Sequence, residues 1–166
     1  MKILVTGSEG FIGSHLVEML ISKGHKVRCF VLYNSFNNLG WIEDLPNNIK
    51  KKIEIHFGDL RDIKSVNKAV KGCQKIVNLA SLIAIPYSYE APLSYINTNI
   101  IGTTNLLQSA LEKKIKKFVH ISTSEVYGNA KFLPMSEHHQ LNAQSPYAAT
   151  KIGADQMALS FYKSFG

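Results

Sequence analysis

The chain is poor in cysteine and has no long apolar run, and each shortage argues against a class of protein. Its 166 residues include two cysteines, Cys29 and Cys73, both in or beside apolar segments. Two cysteines without metal-ligand spacing argue against a disulfide scaffold or a metal site, and predict inert thiols in a reducing cytoplasm. No apolar run is long enough to span a bilayer. The glycine-rich start predicts a strand better than a signal peptide.

Acidic residues are outnumbered, with 12 Asp and Glu against 19 Lys and Arg, which gives a net charge of +7. The lysines cluster at 50–52 and 113–117. Neither interleaved aromatic residues nor a nucleic-acid motif accompanies them, so a solvated surface is favoured over a nucleic-acid site. The 45% apolar and 19% charged content is typical of a globular domain with one core.

Short apolar segments alternate with segments of helical periodicity. Strands are predicted at "KILVTG", "HKVRCFVLY", "KIEIHF", "KIVNLA" and "KFVHIST". Helices are predicted over 11–24, 62–71 and about 93–113, and a last helix begins near Pro146. This alternation predicts an α/β fold with a parallel sheet covered on both faces. The region 34–50 is predicted to be a surface excursion.

The stretch "VTGSEGFIGSHL" places Gly7, Gly10 and Gly13 between the first strand and the first helix. Glycines allow a tight turn, close approach to a pyrophosphate and packing of the helix on the sheet. The helix N-terminus then offers free N–H groups to the phosphates. A glycine triplet by itself is a weak signal, but this strand–turn–helix context favours a dinucleotide site over a purely structural turn.

Two further stretches carry hydroxyl, carboxylate and ammonium groups. "STSEVYG", from Ser122 to Gly128, follows an apolar strand, where either a helix cap or a chemical site is expected. Tyr147 and Lys151 are four residues apart, so a helix would project both from one face. A free phenol has a pKa of ~10, but a neighbouring ammonium favours the phenolate. The pair therefore predicts a proton acceptor for alcohol oxidation, with a chance surface pair as the alternative.

The G-x-x-G-x-x-G spacing together with Tyr147, Lys151 and Thr123 resembles the short-chain dehydrogenase/reductase superfamily, in its extended branch of nucleotide-sugar epimerases and dehydratases. The resemblance implies a Rossmann-like doubly wound parallel sheet and a NAD or NADP cofactor. The cofactor contacts it implies are Gly7, Gly10, Phe11, Ile12, Gly13, Asp59, Leu60, Leu79, Ala80, Ser81, Asn99, Tyr147 and Lys151. For Asn99, a role in bracing the backbone is the alternative to a proton relay, and for Asp59 a turn or helix cap.

The choice between NAD and NADP stays open. An acid at the end of the second strand binds a free ribose diol, whereas an Arg there favours a 2′-phosphate. The segment after Phe30 has no acid, and Arg28 lies inside the strand. Asn34 and Ser35 can hydrogen-bond to either form of the ribose.

The resemblance also assigns chemistry to the stretch after the fifth strand. Thr123 matches the residue that hydrogen-bonds the sugar 4-hydroxyl, with Ser124 beside it at the substrate. Glu125 matches the base that removes the C5 proton in 4,6-dehydratases, for which a 4-epimerase has no use. Thr-Ser-Glu resembles the GDP-mannose 4,6-dehydratases and also occurs in UDP-glucuronate decarboxylases. Because the second residue is Ser and not Asp, the acid for the C6 leaving group is unassigned.

The flanks of these motifs closely resemble nucleotide-sugar 4,6-dehydratases of legionaminic-acid pathways across essentially the whole chain. The implied substrate is a UDP- or GDP-linked N-acetylglucosamine, and the implied product its 4-keto-6-deoxy derivative. Such enzymes are about twice this length, so residues 1–166 are expected to form the N-terminal, cofactor-binding portion, inactive when isolated. The implied assembly is a cytoplasmic homodimer formed through the helices near 93–113 and 147–164, using apolar residues such as Leu106, Leu107, Met157, Leu159 and Phe161.

Two alternatives remain. A UDP-glucuronate decarboxylase or a nucleotide-sugar 4-epimerase would use the same cofactor and most of the same residues. A catalytically silent dinucleotide-binding protein would need only the glycine loop. The presence of Thr123, Glu125, Tyr147 and Lys151 argues against the silent protein. No membrane, nucleic-acid or metal partner is predicted.

Overall fold

The computed structural model describes residues 1–166 and divides into two compact units. The first unit comprises residues 1–80 and 105–121, and the second comprises 81–104 and 122–166. None of the helices combines the length and the apolar character that crossing a bilayer requires.

The first unit is built on a five-stranded, entirely parallel sheet of order β3-β2-β1-β4-β5. The order reverses between β1 and β4, where Thr6 lies opposite Asn78. All the predicted strands are present, although some are shorter than the apolar segments that indicated them. Their bounds are Lys2–Thr6 for β1, Lys26–Leu32 for β2, Ile53–Gly58 for β3, Lys75–Asn78 for β4 and Lys117–His120 for β5.

Helices cover both faces of this sheet. Helices α1 (Phe11–Ser22) and α2 (Asn47–Lys50) pack on one face, and α3 (Ile63–Val70) and α6 (Gly102–Glu112) pack on the other. The side chains of β1 alternate accordingly, because successive residues of a strand point to opposite faces. Ile3 and Val5 join the core that contains Val17, and Leu4 joins the core that contains Leu106. The predicted doubly wound α/β fold is therefore confirmed.

Arg28, a buried charged residue on β2, binds the C-terminal end of α3. The guanidinium of Arg28 donates to the main-chain oxygens of Ala69 and Lys71 and pairs with Glu54, its neighbour in register on β3. The last carbonyls of a helix have no partner within the helix and attract a cation. Arg28 therefore caps α3 from the sheet, away from the carboxyl end of β2.

The region 34–50 lies mostly at the surface, as predicted, but it also contains regular structure and three buried residues. It contains a 3₁₀ helix, Gly40–Asp44, followed by α2. Ile42, Leu45 and Ile49 are buried in the core that α1 shares with the sheet. Their spacing of three and four residues is a helical signal that the surrounding Asn and Pro residues obscured.

The two cysteines are free and buried within the first unit. Burial raises the pKa of the Cys29 thiol to about 12 and also raises the pKa of Cys73. Both side chains therefore stay protonated near neutral pH, which agrees with the prediction of inert thiols.

The second unit is helical. It contains α4 (Ile85–Glu90), α5 (Pro92–Tyr95), a π-helical stretch (Ile96–Ile101) that runs into α6, a 3₁₀ helix (Ser124–Tyr127) and α7 (Pro146–Phe165). The predicted helix over 93–113 is thus a succession of α5, the π-helical stretch and α6. Leu106 and Leu107, which we expected at a dimer surface, are buried and do not contribute to one.

The start of α7 follows its sequence signals. The hydroxyl of Ser145 accepts a hydrogen bond from the N–H of Ala148 at 3.0 Å, and Pro146 occupies the first helical position. Ser is a favoured N-cap, and Pro at the first position loses no helical hydrogen bond. This cap fixes where α7 begins, and therefore where Tyr147 and Lys151 lie on it.

Candidate functional site

The glycine turn after β1 is held together by its own backbone. The N–H of Gly10 donates to the carbonyl oxygen of Gly7 at 3.1 Å. Gly7 has φ +63°, and a Cβ there would lie 2.8 Å from the main-chain nitrogen of Ala80. A Cβ on Gly13 would lie 2.1 Å from the carbonyl oxygen of Gly7. Side chains at Gly7 and Gly13 would therefore break the turn.

The N-terminus of α1 is open to an anion. Gly10 is its N-cap and supplies no side-chain hydrogen bond, and the first turn contains no acidic residue. The first N–H groups of a helix have no partner within the helix and carry the positive end of its dipole. Phe11 and Ile12 are exposed at this end. The geometry fits a pyrophosphate bound by the backbone.

The residues that follow β4 lie beside this turn. The hydroxyl of Thr6 donates to Asn78 at 2.6 Å and accepts from the N–H groups of Leu79 and Ala80, at 3.2 Å each. This network joins the carboxyl ends of β1 and β4, where the strand order reverses. Open parallel sheets bind ligands at such a switch point.

Asp59 and Leu60 follow β3 in the first unit. Asp59 accepts hydrogen bonds from the guanidinium of Arg61, and this partner lowers the pKa of the Asp59 carboxyl. Asp59 also accepts from the N–H of Arg61, in a local turn. Leu60 is buried in the core. The side chain of Asp59 is therefore engaged within the protein.

Asn34, the first polar residue after β2, makes its side-chain hydrogen bonds near the end of β2 and within its own loop. The side chain of Asn34 accepts from the N–H of Asn38 at 2.8 Å and donates to its carbonyl oxygen at 2.9 Å. Ser35 is exposed. Asn34 thus closes the loop that begins after β2.

A carboxylate that the sequence analysis missed lies at the end of β2. Glu9, in the glycine turn, accepts a hydrogen bond from the N–H of Leu32 at 2.9 Å. This acid comes from the glycine turn and not from the residues that follow the strand, so the segment after β2 does not reveal it. The acidic residue inside the glycine triplet was the available signal.

Tyr147 and Lys151 lie one turn apart on α7, and both are buried within the second unit. The ring of Tyr147 packs edge-on against Tyr95, with centroids 6.4 Å apart. Burial lowers the pKa of the Lys151 ammonium, and the negative charge of Asp155 opposes that shift. A tyrosine and a lysine held in this arrangement can handle the proton of an alcohol.

The stretch from Thr123 to Glu125 begins the 3₁₀ helix, which packs against α7. The hydroxyl of Thr123 accepts a hydrogen bond from the N–H of Glu125 at 3.3 Å. The expected helix cap is therefore present. Ser124 and Glu125 are exposed, so the carboxylate remains accessible.

Asn99 braces the backbone of the second unit. Its side-chain oxygen accepts from the N–H of Leu82 at 2.8 Å, and its amide nitrogen donates to the carbonyl oxygen of Leu82 at 3.0 Å. Ser81 and Thr150 complete its contacts. Asn99 thereby joins the segment after β4 to α7, which is the bracing role.

A parallel sheet that reverses its order beside a glycine turn, with a Tyr-x-x-x-Lys pair on a later helix, defines a Rossmann-like member of the short-chain dehydrogenases/reductases. Residues 4–166 match the family model described as GDP-mannose 4,6 dehydratase. The chain belongs to this family of NAD-dependent epimerases and dehydratases. The predicted family resemblance is confirmed.

Individual relatives include both dehydratases and epimerases. A dTDP-glucose 4,6-dehydratase of Streptomyces antibioticus is 31% identical, over 100% of this chain and 50% of that protein. DesIV, a dTDP-glucose 4,6-dehydratase of Streptomyces venezuelae crystallised with NAD, has a TM-score of 0.85 and 31% identity over 100% of this chain and 53% of its own. The UDP-glucose 4-epimerase of Thermotoga maritima, crystallised with UDP-glucose, has a TM-score of 0.89 and 29% identity over 100% of this chain and 52% of its own.

The chain spans about half the length of the curated relatives it matches. The prediction of NAD or NADP agrees with the NAD-bound neighbour, and the prediction of a nucleotide-sugar enzyme agrees with the family. No cluster of three or more His, Cys, Asp or Glu side chains is arranged to hold a metal ion.

Proposed function

We propose that this chain is the cofactor-binding portion of a NAD(P)-dependent nucleotide-sugar 4,6-dehydratase, a lyase. The observation that carries the proposal is the position of Glu125. It lies exposed on the 3₁₀ helix that Thr123 caps, and this helix packs against the helix bearing Tyr147 and Lys151. A carboxylate beside an alcohol-oxidising pair is needed for elimination and not for epimerisation.

The dinucleotide is held by the glycine turn and the N-terminus of α1, which fit a pyrophosphate as described above. The contacts inferred in the first unit also include Asp59, Leu60, Leu79 and Ala80, with Asn34 and Ser35 near the ribose. In the second unit, the family resemblance assigns cofactor contacts to Ser81, Asn99, Tyr147 and Lys151. A bound NAD(P) would supply hydride transfer, from C4 of the sugar and later back to C6 as C5 regains a proton.

The protein's own residues move the protons. Thr123 hydrogen-bonds the sugar 4-hydroxyl, and Tyr147 accepts the proton of that hydroxyl as C4 is oxidised. Lys151 holds positive charge beside the phenol. The C4 ketone makes the C5 proton acidic, and Glu125 removes it while the C6 hydroxyl leaves as water. Ser124 binds substrate in this scheme, and no residue is assigned as the acid at C6.

The proposed substrate is a UDP- or GDP-linked N-acetylglucosamine, and the product its 4-keto-6-deoxy sugar. This choice is supported by the sequence flanks around the motifs, and polysaccharide biosynthesis is the corresponding process. A cytoplasmic location is supported by the two free, buried thiols. We also propose that the isolated 166-residue chain binds cofactor without turning over substrate, because its relatives are about twice as long.

A 4-epimerase is the second candidate, favoured by the similarity to the Thermotoga maritima enzyme. A UDP-glucuronate decarboxylase shares the Thr-Ser-Glu stretch. The deciding experiment incubates the complete enzyme with a panel of nucleotide sugars and analyses the products by mass spectrometry. Loss of one water supports the dehydratase, and loss of carbon dioxide supports the decarboxylase. An isomer of unchanged mass supports the epimerase, and no reaction with any sugar supports a silent dinucleotide-binding protein.

We further propose a homodimer that uses the helical surface of the second unit. Several large apolar side chains are exposed there, namely Leu93, Ile96, Ile101, Leu159, Tyr162 and Phe165. Light scattering of the complete enzyme should give a dimer, and Leu159→Glu should shift it toward monomer, because a charge on an apolar interface is costly. A parent protein that is already monomeric at micromolar concentration contradicts this assembly.

A further inference from the structure

The segment after β2 lacks the residue that usually identifies the ribose. In sheets of this type, an acid near the end of the second strand hydrogen-bonds the adenosine ribose diol, and a nearby Arg accommodates a 2′-phosphate. Between Tyr33 and Asn38 there is neither an acid nor a basic residue. The sequence after this strand therefore leaves the cofactor unspecified.

The structure supplies an acid at this place from the glycine turn. Glu9 Oε1 accepts the N–H of Leu32, the last residue of β2, at 2.9 Å. The main chain of Glu9 is fixed as well, because its carbonyl oxygen accepts the N–H of Trp41 at 2.9 Å. Glu9 is thus fixed at the carboxyl end of β2 by one hydrogen bond to its side chain and one to its main chain.

The second carboxylate oxygen of Glu9 is the unusual feature. Glu9 Oε2 is buried and accepts no hydrogen bond from any group of the protein. A buried carboxylate oxygen without a donor is unfavourable, so this position favours a ligand that brings donors. A ribose diol brings two hydroxyl donors. The last torsion of a Glu side chain is soft, so its two oxygens can share the Leu32 N–H and a ligand hydroxyl.

We propose that Glu9 binds the adenosine ribose hydroxyls and thereby selects NAD over NADP. The inference rests on the dinucleotide site of the proposed function. A 2′-phosphate at this place would bring its negative charges against the Glu9 carboxylate, whereas a free 2′-hydroxyl donates to it.

The basic residues near this edge do not offset that repulsion. Arg61 is paired with the carboxylate of Asp59, and Arg28 is directed to the end of α3 and to Glu54. Residues 33–49 contain no Lys or Arg. The carboxyl end of β2 therefore presents an acid without a free cation beside it.

The test is calorimetric titration of the parent protein and of Glu9→Gln with NAD, NADP and 2′-deoxy-NAD. Gln retains an oxygen that can accept from Leu32, so the turn is preserved, and thermal unfolding checks this. The parent should bind NAD about tenfold or more tightly than NADP, because hydrogen bonds to a charged group are strong. It should bind 2′-deoxy-NAD about tenfold more weakly than NAD.

In Glu9→Gln the preference for NAD over NADP should shrink, and removal of the 2′-hydroxyl should weaken binding much less than in the parent. Glu18→Gln, which removes the same charge from α1, should behave like the parent. An unchanged NAD preference in a folded Glu9→Gln variant overturns the role of Glu9 and leaves the dinucleotide site standing. A parent protein that binds neither dinucleotide overturns the site itself, and the role of Glu9 with it.

Discussion

Ser122 donates a hydrogen bond to the carboxylate of Asp155, which ties the segment after β5 to α7. Ser122 directly precedes Thr123, and Asp155 lies one turn beyond Lys151. The contact therefore holds the start of the 3₁₀ helix against the face of α7 that carries Tyr147 and Lys151. Asp155 also affects Lys151. Burial lowers the pKa of the Lys151 ammonium, and the negative charge of Asp155 raises it.

The first prediction concerns the pH dependence of the proposed reaction in Asp155→Asn. Without the negative charge, the pKa of Lys151 should fall further below its usual value, because only the effect of burial remains. If the ammonium of Lys151 is needed, activity should be lost at a lower pH than in the parent. The measurement is kcat/KM of the complete enzyme across the alkaline range.

Ser122→Ala is the matched control, because it removes the hydrogen bond and leaves the charge of Asp155. Its alkaline limb should stay where the parent has it, even if the rate falls because Thr123 is less well positioned. An alkaline limb that is the same in Asp155→Asn and in the parent contradicts the role of Asp155.

The second prediction separates two glycines of the same turn. Gly13→Ala should lower the free energy of unfolding by about 1–3 kcal/mol, the usual cost of overpacking, because the new Cβ would lie 2.1 Å from the Gly7 oxygen. Gly10→Ala should cost clearly less, because its Cβ would lie 3.3 Å from that oxygen, a tight contact that a small shift can relieve. Denaturant unfolding measures both, and equal stabilities for the two variants would contradict the geometry of the turn.

The third prediction concerns the effect of a substitution at Gly10 on dinucleotide binding. Gly10→Val should stay folded and bind NAD(P) more weakly, because a branched side chain crowds the place where a pyrophosphate would approach the start of α1. Calorimetry gives the affinity. Unchanged affinity in a folded Gly10→Val variant would separate the glycine turn from the cofactor site.

The sheet and its glycine turn could be predicted because their signals are local. The apolar segments around Leu4 and Val31 are too continuous for a half-exposed strand, and a helix cap such as Asp62 needs only its own neighbours, here the N–H of Lys64. Tyr147 and Lys151 are likewise predictable from spacing, because Ser145 and Pro146 fix the start of α7. Each of these features depends on a few adjacent residues.

The features that escaped prediction depend on residues far apart in the chain. Glu9 reaches the end of β2 only because β1 and β2 are neighbours in the sheet. Arg28 caps a helix that begins more than thirty residues later. Ile42 and its neighbours are buried because α1 and the sheet leave an apolar face for them. Strand order and packing decide all three, and a single sequence does not state either directly.

The fourth prediction concerns stability in acid. Glu54 accepts hydrogen bonds from Lys2 and Arg28, which lower its pKa from the ordinary 4.5. A lowered carboxyl pKa contributes stability above the ordinary value, and this stability is lost as the pH falls through the folded-state pKa. Glu54→Gln should lower the free energy of unfolding at neutral pH by ~1 kcal/mol or less, because the carboxylate is half exposed and screened by solvent.

The difference between the parent and Glu54→Gln should shrink as the pH falls below the ordinary pKa of the carboxyl, since the parent then loses the same charge. Urea unfolding at a series of pH values measures it. Glu112→Gln, at the exposed end of α6, should follow the parent throughout. A difference that grows toward acid pH contradicts the ion-pair explanation.

The last prediction concerns Glu125, the base of the proposed elimination. Glu125→Gln should leave C4 oxidation intact and slow the loss of water by ~10²–10⁴-fold, the usual contribution of general acid–base catalysis. Tyr147→Phe should act earlier and block the oxidation as well. Single turnovers of the complete enzyme in deuterated water follow reduced cofactor by absorbance and deuterium at C5 by NMR. Glu125→Gln should accumulate reduced cofactor without C5 deuterium, and Ser124→Ala, which keeps the carboxylate, should still release product. If Glu125→Gln released the 4-keto-6-deoxy sugar at the parent rate, Glu125 would have no role as the C5 base, and the epimerase would be favoured.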